Sequence, residues 1–232
     1  MENPMTIEEL IEKIVKKESV SNVDTSEIDD MSGLFSCQKY ENSDIKTFLE
    51  TFNQPLNDWD VSNVKRMNGM FQGATKFNQP LNNWDVSKVK QMDFMFNSTC
   101  SFNQPLNNWD VSKVKTMESM FAYATSFNQP LNKWDVSKVT DMSYMFFNAI
   151  KFNQSLNDWN VSNVTNVNYM FCQAINYIGS MKKWNLGDGC KFFNFLNFTF
   201  KWNLFNTKED LPMRNGVRLT RLMGSTKIWK IL

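Results

Sequence analysis

Four aspartates set 25 residues apart, Asp60, Asp85, Asp110 and Asp135, carry the most distinctive chemistry in the chain, and Asn160 continues the series. Two positions later a serine column runs in step: Ser62, Ser87, Ser112, Ser137 and Ser162. A third column, Asp58, Asn83, Asn108, Lys133 and Asp158, changes from one member to the next. Stacked carboxylates about 5 Å apart repel by about a kilocalorie or less each when solvated, so something must offset them. Neighbouring backbone and Ser groups could do so by hydrogen bonding, a basic protein or peptide by docking on an acidic face, or calcium by oxygen ligation. The glycine-rich calcium-binding repeat is missing, and no metal or cofactor is expected.

The same residues argue against catalysis. Carboxylates on a repeating surface do not define one distinct pocket. The chain has no histidine, which removes the commonest general base and the commonest metal ligand. It shows no nucleophile elbow, phosphate-binding loop, dinucleotide fingerprint or zinc spacing. The sequence therefore predicts a protein that is not an enzyme.

The columns arise because five segments, starting at Phe52, Phe77, Phe102, Phe127 and Phe152, read close to F-N-Q-P-L-N-x-W-D-V-S-x-V-x-x-M-x-x-M-F. A tandem period of this length predicts a solenoid, whose units bury their apolar faces only by stacking. In the second unit Leu81, Trp84, Val86 and Val89 fall in an L-x-x-W-x-V-x-x-V frame, the leucine-rich-repeat pattern with Trp in one Leu position. Alternation around Trp84 predicts a short strand over 83–87, with Asp85 and Ser87 facing out. Val89, Met92, Met95 and Phe96 then recur at helical spacing, which predicts a short helix or 3-10 turn with Ser87 as its N-cap. The fold class expected is α/β: a leucine-rich-repeat-like solenoid of five full coils, each a short parallel strand plus a short helix or 3-10 turn. Asn53, Asn78, Asn103, Asn128 and Asn153 should stack at one turn, and Met70, Met95, Met120, Met145 and Met170 should line the core.

The ends decay from this pattern. Residues 1–22 read as an amphipathic helical cap, with a Thr6–Glu9 capping box and an apolar face of Ile7, Leu10, Ile11, Ile14 and Val15. Residues 23–51 read as a degenerate first repeat with an insertion that loops out or forms a short helix. Residues 52–176 are the five tandem repeats. Residues 177–232 read as a degenerate repeat and a basic, aromatic cap, in which Trp184 keeps register and Lys201 to Leu204 suggests a shortened coil. Two strands are expected there, over 217–222 and 227–232.

The tandem F-N-Q-P-L-N-x-W-D-V-S-x-V-x-x-M-x-x-M-F resembles the BspA-like leucine-rich-repeat family over residues 52–175, with weaker extension to 23–35 and 184. Such repeats are best known in surface proteins of bacteria and mycoplasmas and also occur in protists and giant DNA viruses. The resemblance implies a binding or adhesin-like role and supplies no catalytic residues.

Charge and composition narrow the options further. Residues 1–50 carry 5 basic and 12 acidic side chains, and residues 180–232 carry 10 and 3, so the ends have opposite charge. Self-association through those ends is one expectation. The acidic start does not suit a signal peptide, and no run is long and apolar enough for a membrane span, so a cytoplasmic, intracellular or virion location is expected. Cys37, Cys100, Cys172 and Cys190 follow no metal or repeat spacing and read as buried reduced thiols. Basic and aromatic residues near the C-terminus could bind single-stranded nucleic acid, but a terminal cap needs those aromatics anyway. The leading expectation is a non-catalytic scaffold for an unknown protein partner of basic character. It would lie on the strand face, across Asp60, Asp85, Asp110, Asp135, Asn160 and the five serines. Alternatives are a structural or virion-assembly component and a surface adhesin-like protein.

Overall fold

The buried pairs of each repeat, Leu81 with Trp84, Val86 with Val89 and Met92 with Met95, sit three residues apart because each pair closes a tight turn. The backbone N–H of the second residue donates to the carbonyl of the first, at 3.2, 2.9 and 3.3 Å. Both ends of the turn then point inward, and all six side chains are buried. The structure, a computed structural model, describes residues 4–197, 199, 201, 206–214 and 217–218. Within 52–176 it contains no helix and no strand longer than a single bridge. The apolar spacing that suggested a helix belongs to successive turns.

Successive repeats are joined in parallel at one residue per repeat. Asp30, Arg66, Gln91, Thr116, Asp141, Asn166 and Lys191 form an unbroken series of bridges. The pairing thus falls at Gln91 and not over 83–87, where the sequence placed the strand. Around it, the Met92, Phe94, Phe96 and Ser98 N–H groups donate to the carbonyls of Thr116, Glu118, Met120 and Ala122, at 3.2, 2.8, 2.9 and 2.8 Å. Ser87 caps no helix, since none follows it. Its own N–H donates back to Asp85 Oδ1 at 3.0 Å.

Side chains supply the remaining links between coils. Each tryptophan reaches back one coil: the Nε1–H groups of Trp84, Trp109, Trp134 and Trp159 donate to the carbonyls of Leu56, Leu81, Leu106 and Leu131, at 2.8 to 3.0 Å. This satisfies a buried donor and a backbone acceptor together. Asparagine and glutamine of F-N-Q act as a pair. The Asn103 N–H donates to Asn78 Oδ1 at 2.9 Å, and Gln104 Nε2 donates to the Asn78 carbonyl at 3.0 Å. The asparagine stack is therefore a side-chain-to-backbone ladder. Phenylalanines fill the interior in continuous stacks, with Phe71 4.1 Å from Phe77 and 5.6 Å from Phe96 between ring centroids. Met70, Met95, Met120, Met145 and Met170 are fully buried.

The first coil has no predecessor, and the N-terminal segment takes its place. Helix α1, Ile7–Val15, starts at a Thr6–Glu9 capping box and buries Leu10 and Ile14. Val15, expected on the apolar face, is 41% exposed. Val20 offers its carbonyl to Trp59 Nε1 at 2.9 Å, as Leu56 does for Trp84. The insertion in the degenerate first repeat forms helix α2, Ser43–Glu50, capped by Asn42. At the other end Trp184 donates to the Leu156 carbonyl at 2.7 Å. Strand β1 (Asn185–Leu186) pairs in parallel with β2 (Met213–Arg214), which pairs antiparallel with β3 (Val217–Arg218). Of the strands expected at 217–222 and 227–232, β3 covers the first two residues and the rest lies outside the described residues, as does most of the expected coil at Lys201 to Leu204.

Candidate binding surface

The aspartate column is built by a local motif. Asp60, Asp85, Asp110 and Asp135 are exposed, and each accepts the N–H of the serine two residues on, Ser62, Ser87, Ser112 or Ser137, at 2.9 to 3.0 Å. This is an Asx turn, in which the carboxylate closes the chain across the first buried valine of the coil, just ahead of the valine-to-valine turn. Asn160 does the same work without charge, accepting the Ser162 N–H at 3.2 Å and its Oγ–H at 2.8 Å. Hydrogen bonding from the side chains of Ser87, Ser112 and Ser137, and then from their backbone N–H groups, holds the carboxyls of Asp85, Asp110 and Asp135 below the ordinary range.

The column is less acidic in context than it is alone. Lys88, Lys113 and Lys138 stand three residues beyond each aspartate, exposed, and their charges also favour the ionised carboxyls. Lys65, Lys90 and Lys115 stand five residues beyond Asp60, Asp85 and Asp110 and are exposed as well. None of the ion pairs among the described residues engages Asp85, Asp110 or Asp135, or Lys88, Lys113 or Lys138, so these form rows of opposite charge outside any ion pair, whereas Lys65 is paired with Asp29 at 2.9 Å. The sequence columns are thus brought together as expected neighbours, on turns where strands were expected. Among the described residues no group of three or more His, Cys, Asp or Glu is arranged to hold a metal ion.

The model for the family described as "Mycoplasma protein of unknown function, DUF285" matches residues 5–124 and 102–208. The chain belongs to this family. No curated protein and no solved structure matches it. No helix among the described residues of this DUF285 protein is long and apolar enough to cross a membrane.

A second set of surface residues carries no repeat signal in the sequence, because it occupies the positions that vary. Two turns per coil need a left-handed third residue, the one before the second Met and the one before Ala or its counterpart. Early coils place glycine there, Gly33, Gly69 and Gly73, at φ 65°, 59° and 77°. Later coils place Phe94, Tyr123, Tyr144 and Tyr169, at φ 59°, 58°, 56° and 57°. A bulky residue in this region costs about 1–2 kcal/mol. The three tyrosines join Phe147 and Phe193 in a continuous surface row. Tyr123 meets Phe147 edge-on at 5.2 Å, Phe147 meets Tyr144 at 5.7 Å, Tyr144 stacks on Tyr169 at 4.7 Å, and Tyr169 meets Phe193 at 5.4 Å. The signal that could have located it is the replacement of turn-forming Gly by aromatics in consecutive repeats.

Proposed function

We propose that the chain is a leucine-rich-repeat-like solenoid of the BspA-like kind that acts as a non-catalytic scaffold. It holds a protein partner along the turn face that carries Asp85, Asp110 and Asp135 with Lys88, Lys113 and Lys138. The reading is supported chiefly by one observation: three charged carboxylates stand exposed in register, on turns fixed by their own Asx bonds, and none is consumed by an ion pair among the described residues. Pre-set charges at a regular interval give register and encounter rate to a partner with complementary charge. The serines contribute by fixing carboxylate orientation.

Asn160 supplies the design of the test. It keeps the Asx turn and lacks the charge. An Asp85→Asn, Asp110→Asn, Asp135→Asn triple variant should therefore fold as the wild type does while presenting no acidic column. Partners recovered from native lysate by the wild type, in a salt-sensitive manner, should be lost to the triple variant. Equal recovery of the same proteins by both would sink the reading.

A further inference from the structure

We propose that the row Tyr123, Phe147, Tyr144, Tyr169 and Phe193 is a second docking surface, which takes an extended, arginine- or lysine-rich segment of a partner protein. It is borne by a different stretch of each coil, 93–98 and its equivalents, from the Asp85 column at 85–87, and stands independently of it.

Three observations converge. First, the rings form one contiguous row over four successive coils, yet Tyr123 and Phe193 remain 44% and 59% exposed and the other three are half-buried. A contiguous exposed aromatic patch is uncommon on a surface that has no partner. Second, three of its members are not what the fold prefers. Tyr123, Tyr144 and Tyr169 sit at left-handed turn positions that other coils fill with Gly73, Gly69, Ser98 or Asn148. Strain of this sort concentrates where a side chain serves recognition. Third, the charge beside the row selects the ligand. Asp93, Glu118 and Asp141 occupy neighbouring positions of consecutive coils. Asp93 accepts from Thr116 Oγ1 and the Glu118 N–H, at 2.7 and 2.8 Å, and Asp141 accepts from Ser143 and Asn166. No hydrogen bond or ion pair among the described residues engages the Glu118 carboxylate. Half-buried and facing the charges of Asp141 and Asp93, it is held above the ordinary range, and its own charge reaches Tyr144. A guanidinium or ammonium group laid on the tyrosine rings would meet this carboxylate edge, combining cation–π attraction with a charge-assisted hydrogen bond. Phosphate-bearing chains would be repelled by the same three carboxylates.

The test uses the full chain and a labelled nine-residue oligo-arginine peptide, with oligo-glutamate and single-stranded oligothymidylate as comparison probes, at physiological salt. Tyr144→Asn with Tyr169→Asn replaces the rings by a residue the neighbouring coil already carries at Asn194, and so spares the fold. That variant should bind oligo-arginine about tenfold more weakly, and Glu118→Gln about fivefold more weakly. Glu8→Gln, the same loss of one carboxylate at an exposed position of helix α1, should bind it as the wild type does, which separates the row from the overall charge of the chain. The proposal is overturned if the double tyrosine variant, with an unchanged thermal midpoint, keeps wild-type affinity. It is also overturned if Glu8→Gln weakens binding as much as Glu118→Gln does, or if oligothymidylate binds the rings in preference to oligo-arginine.

Discussion

Gly73 lies so close under Cys37 that a Cβ at Gly73 would stand 2.1 Å from the Cys37 sulfur. The two occupy equivalent positions of adjacent coils, and the Cys37 N–H donates to the carbonyl of Gln72 at 3.0 Å. Gly73 is left-handed at φ 77°, but the later coils hold Ser98, Tyr123, Asn148 and Gln173 in the same turn. The sulfur is thus what excludes a side chain here. Gly73→Ala should cost about 1–3 kcal/mol through overpacking. In a Cys37→Ala background the cost should fall to the backbone component of about 1 kcal/mol. Urea midpoints of the four proteins test this, and an undiminished cost in the Cys37→Ala background would assign the restriction elsewhere.

Tyr177 takes the place of the repeat's leading phenylalanine. It stacks on Phe171 at 4.1 Å and Phe152 at 6.0 Å, as the phenylalanines of earlier coils do. Its hydroxyl is fully buried and has no hydrogen-bond partner among the described residues, and burial pushes its ionisation far above the ordinary range. Tyr177→Phe restores the repeat residue and removes an unsatisfied polar atom. It should stabilise the chain by about 1–3 kcal/mol, read as a higher thermal midpoint.

The Asx turns predict a response to acid. The carboxyls of Asp85, Asp110 and Asp135 titrate lower in the folded chain than their unfolded value near 3.9. Their contribution is therefore complete above about pH 4 and fades as pH falls through the folded values. Being exposed and screened, the three together should shift the thermal midpoint only modestly. The Asp→Asn triple variant should show a flatter midpoint between about pH 5 and pH 2 than the wild type. Parallel slopes would deny the turns this role.

The thiols should differ in reactivity. Burial raises the Cys172 and Cys190 thiols to about 11, and it also raises Cys37. Cys100 is half-buried, contrary to the expectation that all four are enclosed. Thiolate and access both govern alkylation. At pH 7.5, a pH chosen as roughly neutral for this comparison, iodoacetamide should modify Cys100 first, with Cys172 and Cys190 reacting only on unfolding. Mass spectrometry of partly labelled protein would show the order.

Much of the architecture was legible because a repeat makes each residue's role recur. The buried set, Phe, Leu, Trp, two Val, two Met and Phe, follows from apolar periodicity alone, and the Asn and Asp columns follow from the 25-residue interval. The local backbone was not legible in the same way. A spacing of three between Met92 and Met95 is shared by a helix and by a tight turn, and only the left-handed residue at Phe94, with its N–H committed to the next coil, distinguishes them. Likewise the strand predicted around Trp84 gave way to pairing at Gln91, because the Trp84 segment is bent by its Asx and Leu81 turns while its indole bonds the previous coil.

Sequence by itself determined which residues meet their copies, since a fixed interval in a stacked chain leaves each residue no other partner. Tertiary structure decided which of those stacks remain available to a ligand. Asp85 and Asn78 look alike as repeated polar positions, yet Asn78 is spent on the Asn103 backbone while Asp85 keeps its charge exposed. Tyr144 and Tyr169 stack by the same 25-residue interval, but Tyr123, Phe147 and Phe193 stand at other positions of the repeat and join them only because turns in successive coils project onto the same edge. Periodicity records interactions that every coil must repeat to fold; a surface used by a partner is free to differ from coil to coil and is recognised only once the coils are placed side by side.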